Sequence, residues 1–420
     1  MTDIMMLASP PNWQLYRLGQ LFRERKEKGS DKDFPPLSVT MRGIVPQLET
    51  AAKTDDGDNR KVVRVGDYVI NSRSDRKGSG GISDHEGSVS LISIVLQPRS
   101  IDPRFAHHLL RSPAFQEEFY RWGHGIVADL WTTRYADMKN IRLRVPNLST
   151  QREIADFLDR ETARIDLLIE KKQKLVVLLG EKIAAKQQSD IDDLLNIFGP
   201  SRLKNFTLSI TTGPFGSAIK QDEYVEGGIP ILNPAHIAKG RIIPDMSVTL
   251  SDEKSQELQY WRLKPGDVLM GRRGDLGRCA VVDKELGDSI CGTGCLRLRV
   301  HPKHNPSYVY LIVSSRRSRE WLDLNAVGTT MKNLNEAIVG RLPIPAVRRE
   351  QQDKFIYDIQ NAHHRNTAVS TKIMASIDRL NEYRSALITA AVTGQIDVTT
   401  YAKSGVTDRR LDAIEEEMGA

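Results

Sequence analysis

The chain has 420 residues, which is more than one hydrophobic core usually serves, so we expect more than one structural unit. Its net charge of +6 permits an anionic partner without requiring one, and its three cysteines imply no disulfide framework. The first residues lack a basic region followed by a long apolar stretch, and no run reaches the roughly 18 apolar residues of a membrane span. We therefore expect a cytoplasmic protein.

Residues 1–150 are predicted to form a first mixed domain of helices and strands. The predicted strands are 37–45, 62–69 and 88–96. Residues 72–81 are rich in glycine and serine, which break any regular period, so a loop is predicted there. Residues 104–122 carry large apolar side chains at helical spacing and are predicted to be an amphipathic helix.

Residues 151–198 change character, because glycine is nearly absent and apolar residues recur at alternating spacings of four and three. This pattern predicts a long helix with a coiled-coil seam, interrupted by Glu161 and Lys172. About 40 helical residues would extend roughly 60 Å. The apolar seam residues are Ile154, Leu158, Ile165, Leu168, Leu175 and Leu179.

The second half follows the same order. Residues 199–347 are predicted to be a second mixed domain, which opens with a glycine turn at 213–217. Residues 348–398 are predicted to be a second long helix, and residues 399–420 a polar tail that frays. The seam of the second helix is Phe355, Ile359, Ala362, Val369, Ile373, Leu380, Tyr383 and Leu387.

The repeat is also visible residue by residue. The sequence GDYVI at 66–70 returns as GDVLM at 266–270, and Arg73 returns as Arg273. Further on, Pro103 matches Pro306 at the start of a helical segment, and Gln151 is paired with Gln351. A period near 200 is too long for a solenoid, whose repeats run to roughly 20–50 residues. The repeat predicts two globular domains related by a pseudo-two-fold.

Two long helices that each need to bury one apolar stripe bury it most simply against each other. Because the second mixed domain lies between them in the sequence, the chain must leave one end and return, which makes the pair antiparallel. The predicted fold class is α+β, with two mixed α/β domains separated by an antiparallel coiled coil of two long helices.

Several segments carry a family resemblance through their order, duplication and spacing. They read VGDYVINSR, STQREIADFLDRETARIDLL, TTGPFGSAIK, KPGDVLMGRRGDLGR, REQQDKFIYDIQ and LITAAVTGQID. Together they resemble the specificity subunit of type I restriction–modification enzymes, over about residues 13–397 of this sequence. Two departures stand out. The helix-opening Glu350-Gln351 is Thr150-Gln151 in the first copy, and the AVTG sequence at 391–394 has no counterpart after the first helix.

The resemblance implies a DNA-binding subunit with no chemistry of its own. Each mixed domain would be a target recognition domain that reads one half of a split, asymmetric duplex sequence. The helices would fix the unread spacer and dock two methyltransferase subunits, to which restriction subunits can add. S-adenosylmethionine, ATP and magnesium would belong to those partner subunits, and neither cofactor nor metal is expected in this one.

Motifs for methyl transfer and ATP hydrolysis are weak or missing. The sequence Asn305-Pro306-Ser307-Tyr308 lacks the second proline of an Asn-Pro-Pro-aromatic motif, and the repeat explains Pro306 as a helix start. The chain contains no Gly-Lys dipeptide, so it has no Gly-x4-Gly-Lys loop to cradle a nucleotide phosphate.

Two sets of residues are compatible with a metal-dependent function. Asp245, Asp252 and Lys254 have the residue types of a nuclease site, but such residues are common in polar surface loops. A zinc set would use cysteines whose spacing is not that of a standard finger and whose segment alternates like a strand, so buried thiols are the favoured interpretation. The zinc candidates are Cys291, Cys295, His301 and His304.

DNA contacts need cations for phosphates and planar donors or acceptors for base edges. Such residues occur in the loops after the two GD-containing strands, in the stretches before the last strand of each domain, and after the second domain's glycine turn. The candidates are Arg73, Arg76, Lys77, Thr133, Arg134, Lys220, Arg272, Arg273, Arg278, Thr330, Lys332 and Asn333. The alternative is solvated surface loops. Because the loops differ between the copies, a non-palindromic target is predicted.

Three other functions stay open at this point. The chain could be a restriction endonuclease with its own catalytic site, the specificity partner of a lone methyltransferase without restriction activity, or a coiled-coil scaffold without DNA affinity. The paired histidines His107-His108 and His363-His364 are predicted to lie on helix surfaces without a ligand role.

Overall fold

The computed structural model describes residues 10, 12–47, 57–125, 131–215, 218–220, 223–328 and 332–419. The chain divides into two compact units. Unit 1 combines the chain up to Leu175 with the chain from Thr371 onward, and unit 2 is Val176–Ser370. Unit 1 is therefore discontinuous in sequence, whereas unit 2 is one uninterrupted segment.

The strands are β1 Gln14–Arg17, β2 Phe22–Glu24, β3 Lys28–Gly29, β4 Leu37–Thr40, β5 Gly43–Pro46, β6 Arg60–Val63, β7 Tyr68–Asn71, β8 Gly80–Ile82, β9 Gly87–Val89, β10 Ser93–Pro98, β11 Arg142–Val145, β12 Pro200–Arg202, β13 Thr207–Thr212, β14 Tyr224–Val225, β15 Ile229–Leu232, β16 Ile237–Ala238, β17 Arg241–Ile242, β18 Thr249–Leu250, β19 Val268–Gly271, β20 Cys279–Val281, β21 Ile290–Cys291, β22 Cys295–Val300 and β23 Pro343–Pro345. The helices are α1 Leu18–Leu21, α2 Pro103–Arg111, α3 Pro113–Arg121, α4 Tyr135–Met138, α5 Leu148–Phe198, α6 Asp252–Glu257, α7 Pro306–Val313, α8 Arg316–Asn325, α9 Glu336–Gly340, α10 Arg349–Val392, α11 Val398–Lys403 and α12 Val406–Gly419.

Unit 1 is built around an antiparallel sheet with strand order β2-β10-β7-β8. Apolar residues fill its central strands, and Tyr68 lies opposite both Leu96 and Ile82. Helices α2 and α3 contribute buried aromatic residues to the same core. The single helix predicted over 104–122 is two helices, because Pro113 follows Ser112, whose hydroxyl accepts a hydrogen bond from the Phe115 amide and caps α3.

Unit 2 contains an equivalent sheet with strand order β13-β22-β19-β20. A second four-stranded sheet, β14-β18-β15-β21, adds to it. Helix α7 begins at Pro306 after an Asn305 cap, as α2 begins at Pro103 after an Asp102 cap. Ser315 then caps α8 as Ser112 caps α3. The proline matches found in the sequence are therefore matches between helix starts.

The two long helices contribute to both units and confirm the predicted fold class. In unit 2, the end of α5 and the start of α10 line one groove, with residues from Lys186 to Phe198 on α5 and from Gln351 to Arg365 on α10. Cross-packing of this kind buries the apolar stripe of each helix. In unit 1, Asp166 on α5 pairs with Arg384 on α10 at 3.1 Å.

The predicted seam holds over part of each helix. Glu161 and Lys172 are buried among apolar seam residues, although both are ionisable. Lys172 lies 4.0 Å from Glu415 of α12, so a carboxylate of opposite charge is close to the buried lysine. The seam prediction is wrong at Leu175 and Val369, whose side chains are 44% and 46% exposed.

The pairing of Gln151 with Gln351 is wrong by one residue. The buried Gln151 accepts a hydrogen bond from the Asp102 amide at 2.8 Å and donates to the Pro146 carbonyl at 2.8 Å. Gln352 makes the same two contacts in unit 2, with the Asn305 amide at 2.8 Å and the Val347 carbonyl at 3.0 Å. Each glutamine ties the start of a long helix to the cap of the helix that follows the sheet.

The predicted polar, fraying tail at 399–420 is also wrong. Most of the segment lies in α11 and α12, and Leu411 and Ile414 are buried in the core of unit 1. Arg164 of α5 pairs with Asp408 of α12. In the sequence of α12, Leu411, Ile414 and Met418 are spaced three and four apart, and this short stripe is the sequence signal for a packed helix.

Among the described residues, no helix is long and apolar enough to cross a membrane.

Candidate nucleic-acid interface

In unit 1 the structure brings together the two predicted DNA-contacting segments. The loop after β7 pairs with the stretch before α4: the Ser74 amide donates to the Trp131 carbonyl at 3.0 Å, and the Thr133 amide donates to the Ser72 carbonyl at 3.0 Å. Arg73 and Thr132 form a β-bridge between these two hydrogen bonds. The two loops, separated by about 60 residues of sequence, therefore form one continuous surface.

Unit 2 repeats this loop junction. Arg273 forms a β-bridge with Asn333, and the Leu334 amide donates to the Arg272 carbonyl at 2.9 Å. The side chain of Arg272 adds a hydrogen bond from Nε to Asn333 Oδ1 at 2.9 Å. Burial, together with the charge of Arg273, lowers the pKa of the Arg272 guanidinium from its usual value. Arg272 thus holds the junction together, while Arg273 projects to solvent.

The base of each loop is fixed in the same way. Gly66 and Gly266 have φ angles of +86° and +87°, which only glycine adopts readily. The adjacent Asp67 and Asp267 are buried. Each carboxylate accepts two hydrogen bonds from one arginine, as Asp267 does from Arg299 at 3.0 and 2.8 Å. Such bidentate pairs restrict the geometry of the strand that leads into the loop.

An asparagine positions Arg73. The Arg73 amide donates to Oδ1 of the buried Asn71 at 3.0 Å, so the backbone leaves β7 with a defined direction. Sequence reasoning missed Asn71, although an asparagine at the end of a buried strand is a recognisable turn former.

The remaining candidates of unit 1 have different surroundings. Arg76 and Arg134 are exposed, and Arg76 lies 3.6 Å from Asp75. Lys77 forms an ion pair with Glu117 and lies over the Tyr120 ring, with 5.8 Å to its centroid. Exposed ion pairs of this kind are weak, so each cation is able to exchange its partner for an anionic ligand.

The structure contradicts the prediction that Thr133 contacts DNA. Its side chain is fully buried, and its hydroxyl donates to the Phe119 carbonyl at 2.9 Å. The equivalent position in unit 2 is Leu334, which is also buried. The position serves the core because it lies at the inner end of the loop junction, so Thr133 is not available to DNA.

The candidates of unit 2 are spread over three segments. Lys220 is exposed, and its amide donates to Glu223 at 2.6 Å. Arg278 lies 3.3 Å from Asp275, and Lys332 lies 2.6 Å from Asp323. The candidate Thr330 lies outside the described residues.

Comparison with known proteins addresses the identity of the chain. Residues 215–379 match the model of the type I restriction modification DNA specificity domain. Over this segment, which is less than half of the chain, the chain is similar to that domain. No curated protein sequence matches it significantly.

A solved structure shares the fold of this chain. One chain comes from a structure that describes complex assembly and conformational transition of the type I R-M system. It is 16% identical, with a TM-score of 0.61, and the alignment covers 92% of the present protein and 99% of that chain. The HsdS subunit from Thermoanaerobacter tengcongensis is 17% identical, with a TM-score of 0.48 and coverages of 92% and 98%.

The metal-dependent alternatives gain no support from the geometry of the described residues. Cys279, Cys291 and Cys295 are free and buried, as the alternation of their segment predicted for the last two. Burial raises the pKa of the Cys291 thiol to about 12, which disfavours the thiolate that binds zinc. Over the part of the chain that the structure describes, no group of three or more acidic, histidine or cysteine side chains could hold a metal ion.

Proposed function

We propose that this chain is the non-catalytic DNA-specificity subunit of a type I restriction–modification system. It reads a bipartite, asymmetric target in duplex DNA, with one half read by each mixed domain. The observation that carries the proposal is the duplicated loop junction. Both copies share their backbone pairing, yet they present different polar side chains. A shared scaffold with different surface residues is suited to two domains that recognise different base sequences.

The residues proposed to touch DNA are four junction arginines; Arg73 is half-buried, and Arg76, Arg134 and Arg273 are exposed. Arg73 and Arg273 hold equivalent positions, and Arg76 and Arg134 are exposed beside Arg73 in the first copy. An arginine fork matches the two acceptors of a guanine edge and also pairs with a phosphate. Arg272 and Asn333, which bond to each other, are proposed to hold the second junction rather than to read bases.

The domain limits proposed from the sequence are 1–150 and 199–347 for the two target recognition domains. Two methyltransferase subunits are proposed to dock on the helical regions 151–198 and 348–398, and restriction subunits to join them. S-adenosylmethionine, ATP and magnesium are then bound by those partners. Cleavage and methylation take place on the partner subunits, while this chain determines which DNA sequence is bound.

The test is to co-express the chain with its methyltransferase subunits and to map the methylated adenines in the host genome. We expect one split, non-palindromic motif with a fixed spacer. Replacing residues 1–150 with those of another family member should change one half of the motif only. If both halves changed, the assignment of one half-site to each domain would be wrong.

Point variants sharpen the test. Arg273→Ala should weaken methylation through the second half-site, and Arg73→Ala through the first. Arg316→Ala is the matched control, because Arg316 is 84% exposed on α8, where it pairs with Glu320. Equal loss in all three variants would argue against a specific role for the junctions.

Two alternatives are separated by simple outcomes. DNA cleavage by the purified chain with magnesium alone would indicate a restriction endonuclease with its own catalytic site. A methylated motif that forms without any restriction of unmodified DNA in the host would indicate the specificity partner of a lone methyltransferase.

A further inference from the structure

Each unit contains a two-stranded hairpin that the proposed function does not use. In unit 1 the hairpin is β4–β5, and in unit 2 it is β16–β17. Strand β5 lies against β8, which lies against α2, and strand β17 lies against β20, which lies against α7. The same arrangement of hairpin, sheet edge and helix is thus present twice, although the hairpins share no sequence motif.

The hairpin tip is fixed against the helix in both units. In unit 1 the guanidinium of Arg111 donates to the Met41 carbonyl at the tip and lies 2.9 Å from His107 Nε2. In unit 2 Gly240 packs so closely on Tyr310 that a Cβ at residue 240 would lie 2.1 Å from the tyrosine hydroxyl. His107 and Tyr310 occupy equivalent turns, since α2 and α7 begin at Pro103 and Pro306.

In each unit the hairpin tip, the helix and the loop after the GD-containing strand line a cleft, here called the hairpin cleft. In unit 1, residues of α5 and α10 line it as well. In unit 2 it has a volume of about 270 Å³ and is lined by Lys239, Arg278 and Arg319. Asp275 lies between two of these cations, 3.0 Å from Arg319 and 3.3 Å from Arg278. One carboxylate therefore faces three cations, and the cleft has an excess of positive charge.

The hairpin cleft of unit 1 has a volume of about 490 Å³ and is lined by Arg42, Arg111 and Arg384. Its two carboxylates have partners, because Asp159 lies 2.7 Å from His108 and Asp166 lies 3.1 Å from Arg384. Burial lowers the pKa of His107 to about 3, so this lining side chain is neutral at physiological pH. The cations outnumber the carboxylates here too.

The positive charge arises from different positions in the two copies. Arg111 on α2 corresponds to Ser314 after α7, and Arg319 on α8 corresponds to Gln116 on α3. Only the tip supplies a cation in both units, as Arg42 and as Lys239, and both side chains are exposed. Both clefts are positively charged, although the charged residues stand at different positions in the two copies. This favours a ligand that both units share, which is an anion rather than a particular base.

The clefts adjoin the loop junctions. Gly78 of the first loop lines the cleft of unit 1, and Asp275 and Arg278 of the second loop line the cleft of unit 2. We propose that each hairpin cleft binds a backbone phosphate of the DNA held at the neighbouring junction, with Arg42 and Lys239 as the residues that reach it. This inference rests on the proposed function, and it assigns the tips to affinity rather than to base recognition.

The test uses the full chain with its methyltransferase subunits and duplexes with and without the mapped motif. Arg42→Gln and Lys239→Gln are compared with Arg99→Gln and Lys284→Gln, which remove exposed cations outside the clefts. Loss of one phosphate contact should lower the slope of log affinity against log salt by about 0.9. Affinity at 0.15 M salt should then fall about fivefold for both duplexes, and the methylated motif should not change.

The outcomes separate this inference from the proposed function. If the wild-type complex shows no salt-dependent binding to duplex DNA, the proposed function itself fails. If it binds and the tip variants behave like their controls, only the cleft assignment fails. A changed motif would mean that the tips read bases, which overturns the phosphate assignment. Thermal stabilisation of wild type by inorganic phosphate, with unchanged DNA binding in the variants, would indicate a small-anion site and overturn it as well.

Discussion

Replacing Gln352 with alanine should destabilise unit 2 far more than replacing its neighbour Gln351. The Gln352 side chain is fully buried, with hydrogen bonds to the Asn305 amide and the Val347 carbonyl, and its Nε2 lies 2.9 Å from His304 Nδ1. A hydrogen bond contributes about 0.5–1.5 kcal/mol net, and groups left buried without a partner add to the loss. We expect Gln352→Ala to cost about 2–4 kcal/mol.

Gln351 is the matched control, because it lies next to Gln352 on α10 and makes one exposed contact, accepting from the Arg348 amide at 2.8 Å. An exposed contact of this type at a helix start is worth about 0.5–1 kcal/mol. Urea unfolding compares the two variants, and hydrogen exchange of the α7 amides locates the loss beside Asn305. A cost for Gln352→Ala no greater than that for Gln351→Ala would refute the role given to Gln352.

Two further outcomes follow from buried polar groups in unit 1. Thr133→Val should lower the free energy of unfolding by about 1–2 kcal/mol, because the Phe119 carbonyl loses its donor. DNA affinity should stay unchanged in Thr133→Val and should fall in Arg134→Ala. Reduced DNA affinity in folded Thr133→Val would contradict the structural role. His107 has a folded pKa of about 3, lowered first by burial, so it destabilises the fold increasingly as pH falls from about 6.5 towards 3. His107→Gln should therefore remove about 2 kcal/mol of the stability lost between pH 7 and 4.5 in urea unfolding, and parallel pH profiles for the two proteins would contradict this.

The parts of the fold that the sequence predicts are those carried by local rules. Pro103 and Pro306 mark helix starts because proline fixes φ and lacks an amide donor that the first turn does not need. Gly66 and Gly266 mark equivalent turns because the required positive φ is costly for other residues. The long helices follow from apolar periodicity. Each of these signals lies within a few residues of the structure it predicts.

The errors arise where contacts are distant in sequence. Thr133 has the composition of a surface loop, and its burial depends on the Phe119 carbonyl fourteen residues earlier. His107 lies in a helix that reads as amphipathic, but its Nδ1 accepts a hydrogen bond from the Ile82 amide, 25 residues earlier, at 3.3 Å. Gln351 and Gln352 are chemically identical, so only the position of Asn305 distinguishes them. The choice of DNA-contacting residues stays a prediction, because loop composition alone does not separate a base reader from a solvated side chain.

The discontinuity of unit 1 has a consequence for biosynthesis. Its core includes Leu380, Leu387, Leu411 and Ile414 from the end of the chain, whereas unit 2 is encoded without interruption. The ribosome therefore synthesises every residue of unit 2 before the last residues of unit 1 are made. We expect part of the core of unit 1 to stay exposed to solvent until the residues from Thr371 onward have been synthesised. A chain truncated after residue 370 would then keep every residue of unit 2 and lack part of the core of unit 1.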